Sequence, residues 1–201
     1  MTGVPRRVLV AAMLGAVLVL SACGGQQPGS AATLGDSRIT EQQLTAQVQE
    51  IFTAQGLPVD TADATLTSST LGRMIVIDLV DTLAEREGIV ITQGRIDEQI
   101  ASYVAQAGDQ PSMEATFVQQ GVAPSQIESV IRLNLQAQDL GVKLDPSGTA
   151  EAQGAAVFAA VTALSDELEV TASPRFGTWD PATLQVGPVP DDLSTPPSLE
   201  Q

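Results

Sequence analysis

Three sets of side chains have the types and spacing to do chemistry: the thiol of Cys23, the carboxylates of Asp78, Asp81 and Glu85, and the ammonium of Lys143. Cys23 is the only cysteine, so the chain holds no internal disulfide and no Cys-rich zinc site. The three carboxylates recur at helical spacing, where paired acids could move a proton or hold a hard cation. Either use needs burial or a like-charged neighbour to shift a pKa. Asp78, Asp81, Thr82 and Glu85 instead share the polar strip of an apolar helix, which is read as a solvated face. Nothing around Lys143 suggests a nucleophile turn, so a Ser–Lys dyad is set aside. The absence of histidine removes imidazole bases, His-dependent triads and His metal ligands. No catalytic residue, cofactor or metal is expected, and the chain is read as non-enzymatic.

The 201 residues carry a formal net charge of -15, with nine basic side chains and 24 acidic ones. No basic face is available to displace phosphate counterions, which argues against nucleic acid. Aromatic residues make up only 3% of the chain, so the core must be built from Leu, Ile, Val and Ala, which suits packed helices.

Cys23 gains meaning from what precedes it. Arg6 and Arg7 lead into an uncharged apolar run, Val8 to Leu20, and then Leu20-Ser21-Ala22-Cys23. This is the pattern of a secretory signal over residues 1–22, too short to span a bilayer. Its last four residues resemble the lipobox of bacterial lipoproteins, in which the cysteine thiol is acylated, with palmitate among the chains, and becomes the mature N-terminus. The resemblance implies lipidation at Cys23 and a place on the extracytoplasmic face of the cell membrane, held by the lipid anchor. Removing residues 1–22 takes away two arginines and no acid, leaving a formal charge of -17. Residues 23–32 are read as the lipidated cysteine and a flexible tether, Gly24 to Ala32, reaching roughly 15–18 Å.

The elements that follow are organised around Thr70 to Glu87. Ile75, Val76, Ile77, Leu79, Val80, Leu83 and Ala84 sweep an arc of roughly 200° of this helix, wider than the stripe of a helix lying on one neighbour. It must be clasped from at least two sides. Ser68 or Ser69 is expected to cap its start, and Gly88 to supply the left-handed residue after its end. Before it, Thr40 and Gln43 form a capping box for a first helix running to about Gln55. Residues 60–69 read as loop or frayed lead-in. After it come a helix from Gln93 to Ala107, a short one capped by Ser112, another opened by Pro124, and a last one from about Thr149 to Glu167. Strand-like segments near Thr33–Leu34 and Val170 are expected to pair. The fold class is mainly α: a compact helical domain of about six helices over residues 33–184, with a small two-stranded β element joining its N- and C-terminal ends. Residues 185–201 read as a disordered tail.

Several of these segments resemble the N-terminal chaperone domain of SurA- and PrsA-type foldases, the peptide-binding type also named for trigger factor. The carriers are Gly35-Asp36 with Ile39-Thr40, then Ile75, Leu79, Leu83-Ala84 and Gly88-Ile89 with Thr92. Gly121-Val122 ahead of Ile127, Val130 and Ile131-Arg132 adds to them. Val170 to Gly177, ending in Pro174-Arg175-Phe176-Gly177, is similar to the ending of lipid-anchored relatives from high-GC Gram-positive bacteria. Such foldases insert a parvulin isomerase domain before the last helix. Here only Asp145-Pro146-Ser147-Gly148 lies between the two helices, and the histidines such a domain uses are missing. The resemblance therefore implies the peptide-holding part alone: a non-enzymatic holding chaperone or binding module for exported, unfolded polypeptides. The alternative is a structural or adaptor lipoprotein docking one envelope partner; an envelope hydrolase is disfavoured. Met74, Met113 and Phe117 are the candidate groove residues, since thioethers adapt to varied partners, with ordinary core packing as the competing use. Phe176 and Trp179 are read as a corner of the core.

Overall fold

The central element is a 23-residue helix, α2 (Ala64–Arg86), in a computed structural model that describes residues 29–59 and 63–190. The signal segment, Cys23 and most of the tether lie outside the described residues. So do 60–62 and 191–201.

α2 starts six residues before its expected start. Asp63, not Ser68 or Ser69, is its N-cap, accepting from the Leu66 amide at 2.8 Å. The hydroxyls of Ser68 and Ser69 turn back onto the carbonyls of Thr65 and Leu66 at 3.1 and 3.0 Å. The segment is helical although Ser and Thr side chains that bond their own backbone favour caps and turns. At the other end Gly88 has φ +67°, and the Ile89 amide reaches the Ala84 carbonyl at 2.8 Å. A left-handed glycine closes the helix as expected.

The clasp is supplied by α1 (Glu41–Ala54), α5 (Ile127–Leu144), α6 (Ala150–Glu167) and a small sheet. Leu71, Ile75 and Leu79 are completely buried in the resulting core. α1 opens on the Thr40–Gln43 capping box. The sheet has the order β2 (Ser37–Thr40), β1 (Ser30–Leu34), β3 (Thr171–Ala172), all antiparallel. Thr33 faces Thr171 in register and their hydroxyls meet at 2.8 Å. The two ends of the fold are thus joined through backbone partners, as expected. β1 also corrects the tether, because Ser30, Ala31 and Ala32 are buried in the sheet. Small side chains that read as linker are what lets β1 sit under the helices.

The expected tail is corrected too. β4 (Trp179–Asp180) and β5 (Gln185–Val186) form an antiparallel hairpin, with β5 against α2. Gly177 permits it at φ +125°, where an added Cβ would collide with the Gly187 carbonyl oxygen. Trp179 is 8% exposed and donates its indole N–H to the Ser165 hydroxyl at 2.8 Å, so the hairpin is pinned to α6 as a corner of the core. Arg175 lies over the Phe176 ring and pairs with Glu41.

The remaining elements build a second cluster. α3 (Gln93–Ala107) and α4 (Gln110–Gln119) pack with the first half of α5 around Ile96, Met113, Val122, Ile127, Ile131 and Leu135. Asp109, not Ser112, caps α4, its carboxylate accepting from the Ser112 amide at 2.8 Å. Pro124 opens a 3₁₀ turn ahead of α5. Polar ties join this cluster to the α1–α2 pair. Arg73 donates to the carbonyls of Gly121 and Gln120, Gln55 to that of Val118, and Glu50 receives the amide and hydroxyl of Ser125.

Candidate functional site

A cleft of about 420 Å³ opens where α3, α4 and α5 meet. Its geometry follows from three helical faces. α4 sends Met113 inward, 4% exposed, with Phe117 one turn on and half-buried. α3 contributes Tyr103, whose ring meets that of Phe117 edge-on, with centroids 5.7 Å apart at 81°. α5 contributes half-buried Val130. Around this apolar interior stand exposed Gln106, Thr116, Gln120 and Asn134. None of the lining residues is charged.

Of the three sequence-derived groove residues, the structure brings Met113 and Phe117 together and leaves Met74 elsewhere. Met74 lies on α2, packed against the first core cluster, and does not line this cleft. The reason is the breadth of the apolar arc of α2, which takes in Met74 as core. Tyr103 and Val130 were legible only as core positions at helical spacing. The polar rim carried no sequence signal, because glutamine and asparagine are common on exposed helix faces.

The acidic strip is not the solvated face expected of it. Asp78, Asp81 and Thr82 are half-buried, and with Glu85 they line a hollow of about 230 Å³ closed by Leu34, Ser37 and Leu168. The sheet that joins the chain ends covers this strip, which no helical periodicity could reveal. Burial, with Asp81 nearby, raises the Asp78 pKa above the usual carboxylate range. Asp81 accepts from the Gln136 side-chain amide at 2.8 Å. Among the described residues no group of three or more acidic, cysteine or histidine side chains is placed to hold a metal ion. Lys143 is bound to Glu87, to its carbonyl and to its carboxylate, which leaves no dyad.

Arg73 is the other unusual charge. Among the described residues, Arg86, Arg95, Arg132, Lys143 and Arg175 each meet a carboxylate. Arg73 meets only carbonyls, and burial pulls its pKa below the usual guanidinium value. It lines a second cleft with residues of α2 and β5. No described helix is long and apolar enough to cross a membrane. The chain matches no family model, no curated protein and no solved structure.

Proposed function

We propose that this chain is an extracytoplasmic, lipid-anchored binding module that holds unfolded segments of exported polypeptides in the α3/α4/α5 cleft, without enzymatic turnover. The observation that carries the reading is a neutral cleft on a strongly acidic chain: nine lining residues without a charge, in a protein of net charge -15. At about 30 Å³ per water-sized unit, the cleft takes one or two large apolar side chains. Met113 and the Tyr103–Phe117 pair offer an adaptable apolar surface. The amides of Gln106, Gln120 and Asn134 can both donate to and accept from a peptide backbone, so they suit many sequences. The surrounding acidity favours neutral or basic clients.

Anchoring rests on Cys23 behind its apolar run, and the acidic body would stand off anionic headgroups. The sequence resemblance to the chaperone domain of SurA- and PrsA-type foldases supports the same reading.

The test is aggregation of several unrelated unfolded proteins with and without the chain from Gly24 onward. Holding at modest molar excess, with no acceleration of prolyl isomerisation, is the expected result. A fragment that protects none of them overturns the proposal. An adaptor role has one observation in its favour: the outer face of α6 exposes Ala152, Ala155, Phe158, Ala159 and Ala163, with the exposed acids Glu151 and Asp166 at its two ends. A face of that kind suits one folded envelope partner, and stoichiometric capture of a single protein would favour it.

A further inference from the structure

The second cleft, of about 400 Å³, lies between the N-terminal half of α2 and β5 and shares no lining residue with the first. We propose that it binds the C-terminal end of a peptide. Arg73 would take the carboxylate, the hydroxyl oxygens of Ser68 and Ser69 the last amide N–H, and Val76, Leu184 and Val186 an apolar last side chain.

Charge supports the first assignment. A guanidinium has five N–H donors. Arg73 commits one to the Gly121 carbonyl at 2.5 Å and one to that of Gln120 at 3.2 Å. The others have no acceptor among the described residues, and the chain's 24 acids supply no partner there. A half-buried cation without a counter-charge gains most from one bidentate carboxylate. A doubly charged phosphate would leave an excess negative charge within a protein already at -15.

The hydroxyls narrow the ligand further. Ser68 and Ser69 each spend their only O–H on a helix carbonyl, at 3.1 and 3.0 Å. Both residues line the cleft, and with their O–H groups spent they can act there only as acceptors. They would disfavour a carboxylate beside them and favour an N–H one residue away from it, which is the pattern of a peptide terminus. β5 passes close to α2 here: an added Cβ at Gly72 would stand in ordinary van der Waals contact, 3.4 Å from the Val186 amide nitrogen. A volume of about 400 Å³ holds roughly a dozen water-sized units at about 30 Å³ each, room for one acylated residue.

This site stands whether or not the other cleft holds clients. Its test uses the full chain in non-ionic detergent, with Trp179 emission as the signal. Trp179 is the only tryptophan and pairs in register with Val186. The probes are N-acetyl-Ala-Ala-Leu with a free carboxylate, the same peptide amidated, and hexanoate. The free-carboxylate peptide should bind saturably and the other two at least tenfold more weakly. Arg73→Lys should weaken binding severalfold by losing the fork. Ser69→Leu, at an exposed site that leaves the Arg73 bonds intact, should abolish it by filling the mouth. Val142→Ser, at an exposed position outside both clefts, should leave it unchanged. Equal binding of the amidated peptide, equal binding of hexanoate, full binding by Ser69→Leu, or no binding by any probe overturns the proposal.

Discussion

If the α3/α4/α5 cleft holds clients as proposed, Asn134 offers a perturbation that can move that binding in either direction. It is exposed on α5 at the rim of the α3/α4/α5 cleft, so substitutions there should change folding stability by no more than about 0.5 kcal/mol. Asn134→Asp keeps the shape and adds a charge. A bound apolar segment would have to desolvate that carboxylate with no cation in the lining to pair it. The cost is about 1–3 kcal/mol, or roughly 5- to 150-fold in affinity. Asn134→Leu removes the polar group and extends the apolar wall. If a client covers about 40 Å² of it, the gain is about 1 kcal/mol at 25 cal/mol per Å². The assay is fluorescence anisotropy of a labelled apolar, uncharged peptide against each variant, with thermal unfolding followed in parallel. Binding that falls with aspartate, rises with leucine and leaves the melting midpoint in place is the expected result. If both variants bind like the parent, the cleft does not hold clients.

Cys23→Ser should release the protein from the membrane fraction or leave its signal uncut, as read by fractionation and by the size of the product. Normal processing and fractionation would contradict the lipid anchor. Asp78→Asn should stabilise the fold at neutral pH. Because the folded pKa of Asp78 is raised, its burial penalty is fully present above that raised value and gone below the ordinary carboxylate range. The advantage of the asparagine variant in urea unfolding should therefore shrink as pH falls through that window, and a constant advantage would contradict the assignment. Ser165→Ala leaves the buried Trp179 N–H without its acceptor and should cost about 1–3 kcal/mol, with Trp179 emission reporting unfolding. An unchanged midpoint would show that the hairpin is held by packing alone.

Much of the helical frame was legible because its signals are local. Thr40 with Gln43 and Gly88 mark helix ends by chemistry within one turn, and each does so in the structure. The pairing of Thr33 with Thr171 was also within reach, since two lone strands at opposite ends need partners. Apart from the two N-caps, which fall on Asp63 and Asp109, what escaped depends on contacts distant in sequence. The polar strip of α2 is covered by the segments of Leu34 and Leu168, so Asp78 and Asp81 sit half-buried where periodicity puts them in water, while Glu85 stays exposed. Ser30 to Ala32 look like linker because they are small, and they are buried for the same reason. The β4–β5 hairpin rests on two-residue strands, too short for an alternating pattern, and on Gly177. In the cleft, Met113 and Phe117 could be singled out as adaptable apolar residues on one short helix. Their joining to Tyr103 and Val130 needed the packing of three helices.

Client holding is tested most directly by photo-crosslinking in living cells, with a crosslinkable residue placed at Gln120 on the cleft rim or at Ala155 on the outer face of α6. Captured proteins are then identified for each position. If the α3/α4/α5 cleft holds unfolded exported chains, Gln120 should capture many different exported proteins and Ala155 few. Capture of one stoichiometric partner from Ala155, with nothing from Gln120, would contradict it.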